Sequence, residues 1–295
     1  MSNYVLTTSS TCDLSKKYLS DNNIPYVNFS FIINNEEKYI DDFYSNISKD
    51  DFFNKIKNYD IKTSQPSSED YSKLWEPILK EGKNIIHIEL SSGISGAYNG
   101  ACIIRDILLE QYKDRKIVVI DSLCASSGLG LLVDIAKDKY NEGIEFDEMV
   151  EFTNNMKNNI NHIFISTDLT QYIKGGRISK TAGMFGKILN IIPLLHVNSE
   201  GKLEVIDKIR GTKQVIENIL KTINKNIVDG KDYSKKIFIS HSPRDIVLND
   251  LKEQFKIEYK NADFKDEYIY DIGSTIAAHT GVGTIAIFYV GNGRI

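Results

Sequence analysis

The sequence predicts an α/β protein of two domains, the first built on a mainly parallel sheet with helices on both faces, the second on a sheet with antiparallel pairs. Three observations carry this. In the first half, apolar runs at residues 4–8, 84–90 and 116–120 each lead through a polar loop into helical periodicity, the rhythm of a parallel α/β sheet. In the second half, residues 188–197 and 203–210 are joined by Ser199, Glu200 and Gly201, a hairpin signal. The chain has 295 residues, of which 41% are apolar and 10% aromatic, enough for two ordinary cores. The expected domains are residues 1–158 and 159–295.

Taken in order, residues 4–8 form a strand that gives way to the hydroxyl-rich residues 9–12. Residues 24–33 read as one strand with Pro25 at its start, where a missing N–H does least harm. Asn34 and Asn35 then supply a turn. Residues 43–59 carry helical spacing through Phe52, Phe53 and Ile56, with Asp50 and Asp51 suited to the positive end of the helix dipole. After the polar loop 63–66, Ser67 or Ser68 followed by Glu69 and Asp70 caps another helix. Helices are expected over residues 125–140 and 148–158, strands over 162–167, 236–242, 268–273 and 283–290, and further helices over 169–176, 212–224 and 248–259.

Composition excludes several function classes. The net charge of −4 is small, and the 36 Lys and Arg residues are scattered, so nucleic acid is not an expected partner. No apolar run approaches the roughly 20 residues that cross a bilayer, and the start lacks a signal core, so a cytoplasmic protein is expected. Cys12, Cys102 and Cys124 fit neither a disulfide framework nor a zinc site. His87, His162, His196, His241 and His279 show no metal-ligand spacing, and His87, inside an apolar strand, reads as core.

Leu90-Ser91-Ser92-Gly93-Ile94-Ser95-Gly96 breaks a buried strand and opens a helix. The arrangement suits a cradle for an anionic group, and equally a turn whose serines cap the helix. With residues 8–13 and 63–66, it makes three polar loops at strand carboxyl ends, where open α/β sheets bind ligands. Hydroxyls of Thr63 and Ser95, joined by Ser64 and Ser92, can donate to a carboxylate or phosphate, and His279 can donate from its imidazole. Familiar catalytic motifs are missing: no GxSxG elbow, phosphate-binding GxxxxGK loop, HExxH or GxGxxG occurs. A Ser/His hydrolase or acyltransferase using the Ser91–Ser95 loop with His279 stands as the alternative, without a carboxylate marked as third member.

Thr63-Ser64-Gln65-Pro66-Ser67, the Leu90 to Tyr98 stretch, Lys174-Gly175-Gly176-Arg177-Ile178-Ser179, Lys208-Ile209-Arg210-Gly211 and His279-Thr280-Gly281-Val282-Gly283 together resemble the ordered signatures of the DegV family. The resemblance covers essentially the whole chain. It implies a DegV-like fold with a long-chain fatty acid buried between the domains. It also implies a lipid-binding subunit, without turnover of its own, that presents the acyl carboxylate to a separate ATP-dependent fatty acid kinase for phospholipid synthesis. Thr63, Ser95 and His279 would hold the carboxylate; Arg177, Lys208 and Arg210 would lie near the pocket mouth or face the kinase. No metal, catalytic residue or cofactor beyond the bound fatty acid is implied, and transient membrane contact is compatible with this role. Two positions depart from the family pattern: Ser9 stands where an aspartate is usual, and Val282 where a proline is usual. Energetically the ligand is reasonable, since some 14 methylenes at about 0.8 kcal/mol each gain roughly 11 kcal/mol before losses of freedom. The carboxylate must then be met by donors. Phe29, Phe31, Ile191, Ile192 and Leu194 are the expected tunnel lining.

Overall fold

Strand and helix alternate through the first half because its apolar runs do. The computed structural model describes residues 3–179 and 191–295. In chain order, β1 (Tyr4–Ser9), α1 (Lys16–Asp21), β2 (Tyr26–Val27), β3 (Ser30–Ile33), β4 (Glu37–Ile40) and α2 (Lys49–Asn58) lead into β5 (Ile61–Ser64). There follow α3 (Ser68–Lys80), β6 (Asn84–Glu89), α4 (Ala97–Gln111), β7 (Ile117–Asp121), α5 (Ser127–Asn141) and α6 (Phe146–Met156). The first sheet runs β2-β1-β6-β7 with every pair parallel. Ile85, Ile117 and Val119 pack against α3 and α4 on one face; Ile86, Ile88 and Ile120 join the core shared with α5 and α6 on the other. Side chains alternate along a strand, so each apolar run serves both layers. Ser67 starts α3 with a capping box to Asp70.

The second half comprises β8 (Ile160–Ser166), α7 (Thr170–Lys174), β9 (Ile191–Val197), β10 (Leu203–Arg210), α8 (Val215–Ile223), β11 (Phe238–His241), α9 (Leu248–Glu258), β12 (Ile269–Asp271), α10 (Ser274–Thr280) and β13 (Thr284–Val290). Its sheet runs β10-β9-β8-β13-β11-β12, antiparallel except for the β11–β12 pair. The hairpin of residues 191–210 forms, with Gly201 at φ 72° in its turn. Residues 188–190 of the expected strand lie outside the described residues. Helix α5 packs on β8, β11 and β13 as well as on β6, so one helix serves both sheets.

One expectation is corrected. Residues 24–33 do not form one strand: β2 pairs with β1, whereas β3 leaves that sheet and pairs antiparallel with β4 and β5. This third sheet, β4-β3-β5, was not anticipated; Asn34 and Asn35, both with positive φ, turn β3 back into β4. The residues between the last two strands also form a helix, α10, only seven residues long and too short to show a helical period in sequence. Phe31, Phe52 and Phe53 of the third sheet and α2 pack with Ile272 and Ala277, fastening α10 to that sheet.

Candidate functional site

A cavity of about 410 Å³ lies where α10, the amino end of α4, the start of α5 and the second sheet meet. Its apolar wall includes Phe29, Phe164, Val197, Ile276 and Phe288, and its polar end gathers Thr63, Ser64, Ser95 and His279. Strand β5 delivers Thr63 by pairing it with Phe31, and α10 delivers His279 on its last turn. The two meet in one hydrogen bond, Thr63 Oγ1 to His279 Nε2 at 2.8 Å. Ser95 Oγ accepts the Ala97 N–H at 3.2 Å, which leaves its own proton to donate. Helix α4 begins at Gly96 without a side-chain cap, so its positive dipole end favours an anion at that place.

Burial, with the Arg177 guanidinium nearby, pushes the His279 imidazole down to about 4, so the ring is neutral at pH 7. Its Nδ1 edge faces Gly175 so closely that a Cβ there would stand 2.2 Å away. Arg177 lines the cavity itself. Its Nε donates to the Ile94 carbonyl at 3.0 Å and its Nη1 to the Gly175 carbonyl at 2.5 Å, tying α7's exit to the loop before α4. Arg177, Ile94 and Leu203 also border a surface groove that Lys208 lines; the exposed Arg210 does not line it.

Several expected site residues lie elsewhere. Ser92 is exposed, and Asp121 takes both its hydroxyl and its N–H, because the loop turns it towards the end of β7. Residues 8–13 do not line the cavity but back it: Ser10 donates to Asp41, and Asp13 accepts from Ser126 and the Gly273 N–H. Of the expected lining, Phe29 is present, whereas Phe31 is in the core beneath the third sheet. Val197 faces the cavity from β9, so Ile192 and Leu194 point to the opposite face. Ile191 is six residues, about 20 Å, along the strand.

The serine-hydrolase alternative lacks geometry. Ser91 Oγ donates to the Gly201 carbonyl at 2.8 Å, Ser92 to Asp121, and His279 is bonded to Thr63; among the described residues no bond joins His279 to Ser91, Ser92 or Ser95. No group of three or more His, Cys, Asp or Glu able to hold a metal occurs among the described residues. No described helix is long and apolar enough to cross a membrane.

Sequence reasoning missed Ser126, Thr275 and Thr280, which line the cavity, and gave Gln65 no role of its own within the polar loop 63–66. Gln65 covers Gly96 and Gly100, where a Cβ would meet its side-chain amide at 2.7 and 3.0 Å. The paired glycines one helical turn apart were the available signal. Ser9 stands where the resemblance leads an aspartate to be expected, and a buried carboxylate is present at that end of the sheet. Glu89 on the neighbouring strand accepts from Ser9 Oγ at 2.6 Å and from Tyr71 OH at 2.7 Å.

A family model described as an uncharacterised protein of the DegV family matches residues 4–292. A DegV domain-containing protein of Clostridium perfringens is 34% identical over 293 residues, covering 99% of each chain. Among solved structures, a DegV family protein of Thermus thermophilus, described by its fatty acid binding, superposes with a TM-score of 0.84 at 23% identity, covering 98% of this chain and 99% of that one. The B3 protein of Streptococcus pneumoniae fatty acid kinase, loaded with linoleic acid, superposes with a TM-score of 0.83 at 23% identity, with the same coverage.

Proposed function

The chain belongs to the DegV family, and on that premise we propose that it holds a long-chain fatty acid in the cavity and presents the carboxylate to a separate ATP-dependent kinase. The observation that carries this reading is an apolar cavity whose polar end brings Thr63, Ser95 and His279 together. At about 30 Å³ for a water-sized group, 410 Å³ holds on the order of 14 heavy atoms, a fair match to a buried acyl chain. The carboxylate would be met by the Thr63 and Ser95 hydroxyls at the amino end of α4. The neutral His279 donates from Nε2 to Thr63 Oγ1, so that the Thr63 proton turns to the ligand. Arg177 supplies the positive charge at the mouth.

No residue here need transfer a proton or form a covalent bond, and the protein acts without turnover of its own. The phosphoryl transfer that makes an acyl phosphate belongs to the kinase, and its product feeds phospholipid synthesis. The groove bordered by Arg177 and Lys208 is the surface proposed to face that partner, with Arg210 beside it on β10. The setting is cytoplasmic, with transient membrane contact for loading. Support for the kinase comes from the pneumococcal relative in fold, a fatty acid kinase B3 protein.

Native mass spectrometry of the freshly purified protein, followed by lipid extraction, tests the reading. A stoichiometric non-covalent fatty acid is the expected result. A protein that stays free of lipid when oleate and palmitate are offered overturns it.

A further inference from the structure

The hydroxyls of Thr63 and Ser95 do not by themselves satisfy a carboxylate. Ionised, it offers roughly four lone-pair positions on its two oxygens, so its edge at the cavity mouth needs a further donor. Gln65 stands there. It lies two residues beyond Thr63, so the alternation of the extended chain sends both side chains the same way, and both line the cavity. Thr63 is half-buried, whereas Gln65 is exposed.

The first turn of α4 is shaped to seat this side chain. A Cβ on Gly96 would stand 2.7 Å from the Gln65 side-chain oxygen, and one on Gly100 would stand 3.0 Å from its nitrogen, so a larger residue at either position would push the amide away. Gly100 is inside α4, where glycine is a poor helix former, and room for the amide is what it provides. Among the described residues no hydrogen bond holds the amide, so its donors are available. Its seat on Gly96 is beside Ser95, at the amino end of α4 where the anion is placed. The last torsion of a glutamine is two-fold, and a half-turn exchanges oxygen and nitrogen on the same seat, bringing the NH2 group to the Gly96 side.

Resting on the fatty-acid reading above, we infer that Gln65 is a further ligand-binding residue, whose NH2 group donates to the carboxylate oxygen at the mouth while Gly96 and Gly100 fix the amide in place. Thr63 and Ser95 hold the anion from the cavity side and Gln65 holds it from the outside. The outer oxygen is thereby oriented by an exposed side chain, where a partner can reach it.

Displacement of a fluorescent fatty acid from the delipidated protein by palmitate tests this in two variants. Gln65→Met removes the amide at nearly constant length and is expected to weaken palmitate binding about tenfold, equivalent to about 1.4 kcal/mol. Gln65→Glu keeps the shape of the amide but replaces its donors with a second carboxylate, so at about pH 8, where both carboxyls are ionised, it should bind more weakly still. A side chain that merely fills the seat gives the reverse order, because glutamate is the closer match in shape. Gln65 is exposed, so both variants should fold as the unaltered protein does. The inference is overturned if Gln65→Met binds palmitate within twofold of the unaltered protein, or if Gln65→Glu binds it more tightly than Gln65→Met. Failure of palmitate to bind the unaltered protein is a different result, which removes the fatty-acid reading and this one with it.

Discussion

Thr63 and His279 share one hydrogen bond, and its direction decides what the polar end can hold. If the imidazole donates, the Thr63 proton is left for a carboxylate; if Thr63 donates, the anion meets a lone pair instead. A bound carboxylate selects the first arrangement. Thr63→Ala or Ser95→Ala is therefore expected to weaken fatty acid binding by about 1–3 kcal/mol, since each removes a donor from a desolvated anion. Displacement of a fluorescent fatty acid measures this, and affinity equal to the unaltered protein in both variants would remove the assignment. The histidine also sets a pH dependence. Its folded value near 4 lies below the roughly 6.5 of the unfolded chain, so between those limits the unfolded state binds more protons. Stability from this residue is complete above about pH 7 and falls on acidification, by on the order of 3 kcal/mol below pH 4. Urea unfolding of the unaltered protein and of His279→Gln from pH 7.5 to 4 should show their stability difference moving against the unaltered protein by about that amount; parallel pH profiles would contradict it. Thr63, Ser95 and His279 all line the cavity, and what singled them out in the sequence was polar side chains in signatures that resemble those of the DegV family. Ser92 looked equivalent to Ser95, and only the folded loop shows that Asp121 claims it.

At the scale of elements, glycines set how closely α7 and α10 approach. Gly175 lies against the His279 ring, whereas Gly176 has φ 71° and open space where a Cβ would stand. Gly175→Ala is expected to push the imidazole off Thr63 and lower fatty acid affinity as His279→Gln does. Gly176→Ala should cost about 1–2 kcal/mol of stability, through its left-handed backbone, and leave affinity within about twofold. Melting and binding measured on both variants separate the two effects; equal affinities would show that the ring has room to spare. The β1–β6–α3 junction makes a second case. Burial alone would push the Glu89 carboxyl up, but hydrogen bonds and charge from His87, with the Ser9 and Tyr71 hydroxyls, outweigh it and hold it below the usual carboxylate range. Ser9→Ala removes one of these donors and should cost about 1–3 kcal/mol in urea unfolding; a variant as stable as the unaltered chain would show that the junction does not need it. The alternating strands and helices of the first half and the 191–210 hairpin were readable because their apolar periods are long and their turn residues specific. The third sheet was not, because β3, β4 and β5 have only four residues each and their partners are set by where the chain bends after Val27.

For the molecule as a whole, the question is whether the halves behave as one body. The split at residues 158 and 159 is proposed from chain rhythm, with two sheets in the first half and one in the second. Yet one apolar core runs from Tyr4 to Val290, α5 packs on both sheets, and Arg294 near the chain end donates to the carbonyls of Leu123 and Lys157. Parting the halves would expose that core, so they should unfold together. A ligand in the cavity touches Thr63 and Ser95 from one half and Phe164, His279 and Phe288 from the other, so its binding energy should stabilise both at once. At a free concentration about 1,000-fold above Kd this amounts to roughly 4 kcal/mol. Calorimetry should accordingly give one cooperative transition without lipid and one, several degrees higher, with saturating fatty acid. Two resolved transitions, only one of which moves with ligand, would place the fatty acid within a single half and contradict a site shared across the seam.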